Sequence, residues 1–297
     1  MVESQMNYLV AQGSDVFFVG YELDGGKHSI SYECLGMKRR YICNGKSTTK
    51  AKFTLQYPHV VAFHPLGMNL MYLWPSERRN FLDTALCQAF PEYQKVLQNY
   101  KKILTSRNKV LKNIFEGKSS QSELDFWDTA YIDIAVRVSN YRQKIRDFFQ
   151  KESSSLTPYL FGKVQHVEFH YISKIPLEKV PEDFASTLLQ ERSKEILLRK
   201  TLRWPHLDDF TLLLDGVEIH HFASRGEIKS LLLWLKFIES KFLEQASQKK
   251  DIVFLLDDLL SELDSDHRDM LWKHIGERQC IVTCIEDEDL AWNRIYI

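Results

Sequence analysis

The sequence predicts an α/β fold with a long helical lobe set between two sheet-bearing parts. Three observations predict it. Ile252 to Leu256 is an unbroken apolar run ending in two acids, Asp257 and Asp258. So short a run, rich in β-branched and aromatic types, reads as the buried central strand of a parallel sheet. Residues 14–56 alternate apolar and polar types between turn signals, as an antiparallel meander does. Tyr93 to Phe115 and Glu123 to Gln150 carry apolar residues at helical spacing on either side of a polar stretch, 116–122. That is the pattern of two antiparallel helices forming an arm.

With 297 residues, 44% hydrophobic and 27% charged, the chain can bury a large core and form two lobes. No apolar run approaches the ~20 residues that a bilayer span needs. The opening Met1-Val2-Glu3-Ser4 has neither the basic nor the apolar region of a signal peptide. The cysteines Cys34, Cys43, Cys87, Cys280 and Cys284 are scattered, with no C-x-x-C pair. They point to reduced thiols in a cytoplasmic protein, without a disulfide frame or a zinc site.

Net charge is -1 but unevenly spread. Cys34 to Ser76 contains no Asp or Glu and holds Lys38, Arg39, Arg40, Lys46, Lys50 and Lys52. Tyr93 to Phe115 is again free of acids and carries Lys95, Lys101, Lys102, Arg107, Lys109 and Lys112. From Asp251 onward acids predominate. Such polarity fits a nucleic-acid face on one part and a metal or nucleotide site on another. Taken singly, each run reads as well as a solvated face.

In order along the chain, Val16 to Tyr21, His28 to Cys34, Lys38 to Cys43 and Lys46 to Leu55 are the expected strands of the meander. Asn44-Gly45 marks a hairpin turn, since both residues tolerate positive φ. Gly45-Lys46-Ser47 matches the tail of a phosphate loop, but Arg40 stands where its first glycine belongs and strands flank it, so it reads as a hairpin tip. His59 to Phe63 is a short buried strand, and Pro75-Ser76 opens a helix that Pro91 ends. After the two long helices, Ser153-Ser154-Ser155 reads as a boundary. Lys163 to Ile172 reads as a strand and Pro181 to Arg199 as a helix. Phe210 to Leu214 is a strand before the turn Asp215-Gly216.

Ser224 precedes an apolar helix as its cap, leaving first-turn amides free to meet an anion. The Asp257-Asp258 strand follows, then a helix from Asp266 to Ile275 and a strand from Cys280 to Cys284, with Tyr296-Ile297 a possible last short one. Ligands of open α/β sheets sit at the carboxyl ends of the strands, where the two acids can hold Mg²⁺ and orient a water. The plain alternative is a pair of aspartates favouring a helix N-terminus.

These motifs together resemble the RecF family, within the SMC/RecN/RecF class of ABC-type ATPases. Trp204-Pro205-His206-Leu207-Asp208-Asp209 is similar to that family's G-P-H-R-D-D, with Trp for Gly and Leu for Arg. Phe222 to Lys236 resembles its signature motif. Leu255 to Asp258 with Ser261-Glu262-Leu263-Asp264 resembles the Walker B strand and D-loop. Trp74-Pro75-Ser76-Glu77-Arg78-Arg79-Asn80-Phe81-Leu82-Asp83 is similar to the family's S-P-S-E-R-R-x-F-L-D. The resemblance runs from about residue 16 to about residue 290.

The resemblance implies an ABC-type ATPase head carrying an α-helical arm. Its divisions would be 1–73, an incomplete β-rich part of the head; 74–200, the arm; and 201–297, the C-terminal α/β part. It implies a cytoplasmic DNA replication and repair protein that binds ATP, Mg²⁺ and DNA, either single-stranded or at a single/double-strand junction. Such a protein pairs head to head, as a homodimer or with a complete relative, and works with recombination mediator proteins to load recombinase at gaps. In these terms Asp257 holds Mg²⁺ through water and Asp258 polarises the attacking water. Ser224, Gly226 and Glu227 meet nucleotide held by the partner, Asp264 belongs to the D-loop, and Thr283 takes the switch position. Lys38, Arg39, Arg40, Lys101, Lys102, Arg107 and Lys109 are the DNA-binding candidates.

The family's opening strand, Walker A loop and helix have no counterpart before Val16, so the chain is expected to look like a member with its front removed and to be inactive alone as an ATPase. Three readings follow: a repair protein recorded without its start, a pseudo-ATPase lending its signature face to a complete partner, or an inactive scaffold or gene remnant.

Overall fold

The structure, a computed structural model, describes residues 10–23, 25–34, 36, 38–49, 52–53, 58–64, 70, 75–155, 159–160, 163–164, 166–173, 180–203, 205–247, 252–260 and 263–283. The chain forms two compact units, Met1–Pro58 and His59–Ile297.

In the first unit, β1 (Val16–Leu23), β2 (Gly26–Glu33), β3 (Lys38–Cys43) and β4 (Lys46–Thr48) form one antiparallel sheet in chain order. The hairpin at 44–45 forms because Asn44 and Gly45 both take positive φ, 49° and 76°, as a type I′ turn requires. Asn44 also caps the neighbouring turn, its side-chain oxygen accepting from the Lys27 amide at 2.8 Å. The Gly45-Lys46-Ser47 tip therefore joins two strands and cradles nothing. The fourth strand is shorter than the expected Lys46 to Leu55. Thr49 starts a helical turn instead, with its hydroxyl accepting from the Lys52 amide and its carbonyl from the Phe53 amide. That turn drops Phe53 into full burial against Tyr41 and His28.

The second unit opens with β5 (His59–Phe63). It continues through α1 (Pro75–Ala89), α2 (Pro91–Phe115), α3 (Gln121–Ser155), the two-residue strands β6 (Tyr159–Leu160) and β7 (Lys163–Val164), and β8 (Val167–Ile172). Then come α4 (Val180–Leu198), β9 (Asp209–Leu214), β10 (Val217–Glu218), α5 (Arg225–Ser247), β11 (Ile252–Asp257), α6 (Ser265–Ile275) and β12 (Cys280–Thr283). Pro91 stands at the start of α2, where its missing amide costs nothing. The serine run does not end α3. The Ser153 and Ser154 hydroxyls bond back to the Gln150 carbonyl, and Ser153 is buried, so the serines stay helical. The expected strand Lys163 to Ile172 divides, with β7 pairing β6 and β8 pairing β9. Cys284 and the possible strand at Tyr296-Ile297 lie outside the described residues, as do Trp204, Ser261 and Glu262.

Two small sheets carry this unit. β5, β11 and β12 are parallel, with β11 in the middle. β8, β9 and β10 are antiparallel with β9 in the middle, and Asp215 and Gly216 supply a second positive-φ turn, at 51° and 77°. β11 is buried from Ile252 to Leu256, apart from a half-buried Leu255, as its apolar run predicts. α5 is buried nearly all round along Leu231 to Phe237, which explains why its sequence is so uniformly apolar.

The two most family-like motifs face each other. Arg78 makes a bidentate pair with Asp209, both contacts at 2.6 Å. Arg79 donates to the Asp208 carbonyl at 3.0 Å, and Tyr171 donates to the Asp208 carboxylate at 2.7 Å. Asp83 accepts from Tyr93 and from the buried Arg142. Arg78, Arg79 and Asp83 of α1 thus tie the arm to the antiparallel sheet.

Burial pushes the Asp208 carboxyl up to about 6 from an ordinary 3.8, although Arg142, Tyr171, Ser173 and Arg79 pull the other way. The native chain therefore takes up this proton more readily than the unfolded one. Stability from this group is fully present below about pH 4 and declines as pH rises through about 6. The change is worth about 3 kcal/mol. Asp208→Asn, which keeps an acceptor for Tyr171, should remove that decline. Urea unfolding of both proteins at several pH values measures it; parallel curves would show that the carboxyl does not titrate as placed.

Among the described residues, no helix is long and apolar enough to cross a membrane.

Candidate functional site

Two clusters of chemistry-bearing residues emerge. The first lies at the carboxyl end of the parallel sheet. β11 runs buried until its last residue, and Asp257 emerges exposed. Its register partner is Thr283 at the end of β12, whose hydroxyl donates to the Asp257 carboxylate at 2.7 Å. Asp258 then turns the chain with φ of 48°, and its amide reaches both the carbonyl and the hydroxyl of Thr283, at 3.2 and 3.1 Å. Thr283 thus fixes the positions of both acids. His64 follows β5 at the same end. Burial and the Lys236 ammonium pull its imidazole below the ordinary range, while Asp257 opposes them. Sequence reasoning passed over His64, because it belongs to no recognisable motif and only the pairing of β5 with β11 brings it near the acids.

An exposed and a half-buried carboxylate beside a hydroxyl suit a hard cation such as Mg²⁺, which takes one or two carboxylates and keeps several waters. This donor set fits the ion expected there.

The second cluster is the turn into α5. Ser224 and Glu227 form a reciprocal capping box: the Ser224 hydroxyl accepts from the Glu227 amide at 3.3 Å, and the Glu227 carboxylate accepts from the Ser224 amide at 2.6 Å. The helix itself leaves the Arg225 and Gly226 amides unsatisfied, and both residues are exposed. Glu227 offers acceptors and no donor, and its carboxylate is already engaged. Its carboxylate shapes the turn that carries Ser224 and Gly226. Asp264 caps α6 by accepting from the His267 amide at 2.9 Å, and it contacts the His267 ring at 2.6 Å. The other ring nitrogen meets Ser230, whose hydroxyl donates to the Gly226 carbonyl. A continuous chain of hydrogen bonds therefore links Asp264 to the capped turn.

The basic candidates divide. Lys38 and Arg40 are exposed on one face of β3, and half-buried Arg39 lies on the other. Lys101, Lys102 and Lys109 are exposed on α2. Arg107 is 0% exposed and is withdrawn from the DNA-binding set. Its guanidinium holds Asp128, Glu195 and Thr201 at 2.8, 2.6 and 2.7 Å. A second G-K-S, Gly117-Lys118-Ser119, lies in the loop between two helices and has Lys112 in the first-glycine position, so it is no phosphate loop either.

A parallel strand that ends in two acids and a helix opened by a serine-capped turn are parts expected of an ABC-type ATPase head with a helical arm. Solved structures agree on this fold. The chain superposes with a TM-score of 0.79 and 24% identity on a recombination mediator protein RecF with ATP, covering 96% of this chain and 78% of that one. A second RecF structure, with ATPrS, gives 0.78 and 23%, covering 95% and 78%. No family model matches the chain. Sequence relatives do. The DNA replication and repair protein RecF of Lachnospira eligens is 32% identical over 276 residues, 92% of this chain and 75% of the relative. That of Acetivibrio thermocellus is 31% identical over 274 residues, 90% and 73%. That of Heliobacterium modesticaldum is 34% identical over 224 residues, 74% of this chain and 60% of the relative. The chain belongs to the RecF family of DNA replication and repair proteins.

Proposed function

We propose that this chain is a DNA-binding repair protein that uses ATP through a site shared by two paired chains. The observation that carries the reading is the end of β11, where exposed Asp257 and half-buried Asp258 both bond Thr283. In this reading Asp257 would hold Mg²⁺, and Asp258 would polarise the water that attacks the γ-phosphate. Thr283 fixes both acids from the switch position. The bound ion supplies charge neutralisation, on which phosphoryl transfer mainly depends.

The capped turn at Ser224 and Gly226 would meet nucleotide held by the second chain, because first-turn amides and a helix dipole favour an anion. Asp264, joined to that turn through His267 and Ser230, would pass the occupancy of one site to the other. The second chain would be a further copy or another member of the family, and the work would be done with recombination mediator proteins at DNA gaps.

DNA would lie against the exposed lysines of α2 and, in the first unit, against Lys38 and Arg40. The test is binding to a single-stranded oligonucleotide and to a single/double-strand junction across a range of salt. The logarithm of the binding constant should fall linearly with log salt, and removing Lys101, Lys102 and Lys109 together should reduce the slope by about 2–3. An unchanged slope would remove α2 from the DNA face, and no salt-dependent binding at all would favour an inactive scaffold.

A further inference from the structure

A cluster outside both described sites has the chemistry of a metal centre. β10 ends at Glu218, and the single 3₁₀ turn Ile219–His221 follows it. That turn brings three ligand types together: the Glu218 carboxylate, the His220 imidazole and the His221 imidazole, with one ligand atom of each within 4.8 Å of the others. One carboxylate oxygen of Glu218 lies 3.3 Å from His220 Nδ1 and 3.8 Å from His221 Nε2. The two rings stand 4.0 Å apart. In a tetrahedral site with metal–ligand bonds near 2.0–2.1 Å, neighbouring ligand atoms are about 3.3–3.4 Å apart. The cluster is therefore close to the spacing a metal would impose. Ile219 is buried and anchors the turn from below.

We propose that Glu218, His220 and His221 bind one divalent transition-metal ion of the zinc class. Two imidazoles and one carboxylate suit Zn²⁺ and its first-row neighbours and suit Mg²⁺ poorly. Three protein ligands leave a fourth position for water or another ligand. Glu218 and His220 help to line a cavity of about 370 Å³ that also includes Arg78, Asp209 and Ile228, which leaves room for that ligand. Only Phe222 and Ala223 separate the cluster from Ser224, and both donate their amides to the Ile219 carbonyl. A metal here would pin the approach to the capped turn of α5. The ordinary alternative is an exposed carboxylate–imidazole contact with no ion, worth little.

The experiment uses the untagged chain, stripped with chelator and titrated with Co²⁺ while visible absorption is followed. One Co²⁺ per chain should bind, with the intense bands of a four-coordinate site, and Zn²⁺ should displace it. The double variant His220→Ala, His221→Ala should bind at least about tenfold more weakly, and Glu218→Gln should also weaken binding. His166→Ala with His170→Ala, on exposed residues outside the cluster, should change nothing. His221→Ala alone, on a side chain 66% exposed, guards against misfolding and should still lower affinity. Equal affinity in the wild-type and double-variant proteins, or no Co²⁺ binding at all, would overturn the proposal.

Discussion

Replacing Arg107 with alanine is expected to destabilise the second unit by about 3–5 kcal/mol. The guanidinium sits at the meeting point of α2, α3, α4 and the segment after α4. It donates to Asp128 of α3, to Glu195 of α4 and to the Thr201 hydroxyl, and it lies over the Tyr131 ring at 5.4 Å. Thr201 in turn bonds Asn108, and Glu195 accepts from the Leu202 amide. Burial raises the Glu195 carboxyl above its ordinary range, and Arg107 is the chief force opposing that rise. Without the guanidinium, Glu195 remains buried with its main counter-charge gone, while Asp128 keeps Arg192. An unpaired buried charge is expensive, whereas an exposed cation such as Lys109 contributes little. Urea unfolding should therefore show a large loss for Arg107→Ala and almost none for Lys109→Ala. Equal losses would mean that the guanidinium is solvated after all.

A loss of similar size is expected at Phe254, about 3–5 kcal/mol for Phe254→Ala. The ring is fully buried in the middle of β11, stacked on Phe63 of β5 at 6.5 Å and edge-on to His274 of α6 at 6.2 Å. It ties the strand that carries the acids to β5 and to α6. Asp257→Asn touches the same strand at its solvent end, keeps an acceptor for Thr283, and should change stability by less than about 1 kcal/mol. The contrast separates scaffold from chemistry: thermal unfolding should report the first variant strongly and the second hardly at all. Comparable losses would mean that Asp257 is a packing residue and would remove the main support for the nucleotide site.

Much of this was legible because local rules decide it. Ile252 to Leu256 had to be buried on both faces, and the turn pairs Asn44-Gly45 and Asp215-Gly216 had to bend the chain where φ is positive. Ser224 with Glu227 three residues on is a capping box written in sequence. What stayed hidden depends on long-range pairing. Arg107 looks like one more cation in a basic helix until α3 and α4 close over it. Arg78 and Arg79 read as a motif, but their partners lie far along the chain, Asp209 131 residues from Arg78 and Asp208 129 from Arg79. The serines at 153–155 suggested a break, and only their bonds back to Gln150 explain why the helix continues. Glu218, His220 and His221 gave no signal, since the spacing matches no familiar ligand pattern.

The backbone at Asp258 bears on any effort to harden this protein against heat. A left-handed conformation is costly for every residue with a side chain except, to a lesser degree, asparagine and aspartate, so glycine at 258 would relax the turn and raise the melting temperature. A screen that rewards survival alone would be drawn to that exchange and would discard the acid proposed to activate water. Thermostable variants recovered in this way should be sequenced at 258 before any is adopted as a working substitute.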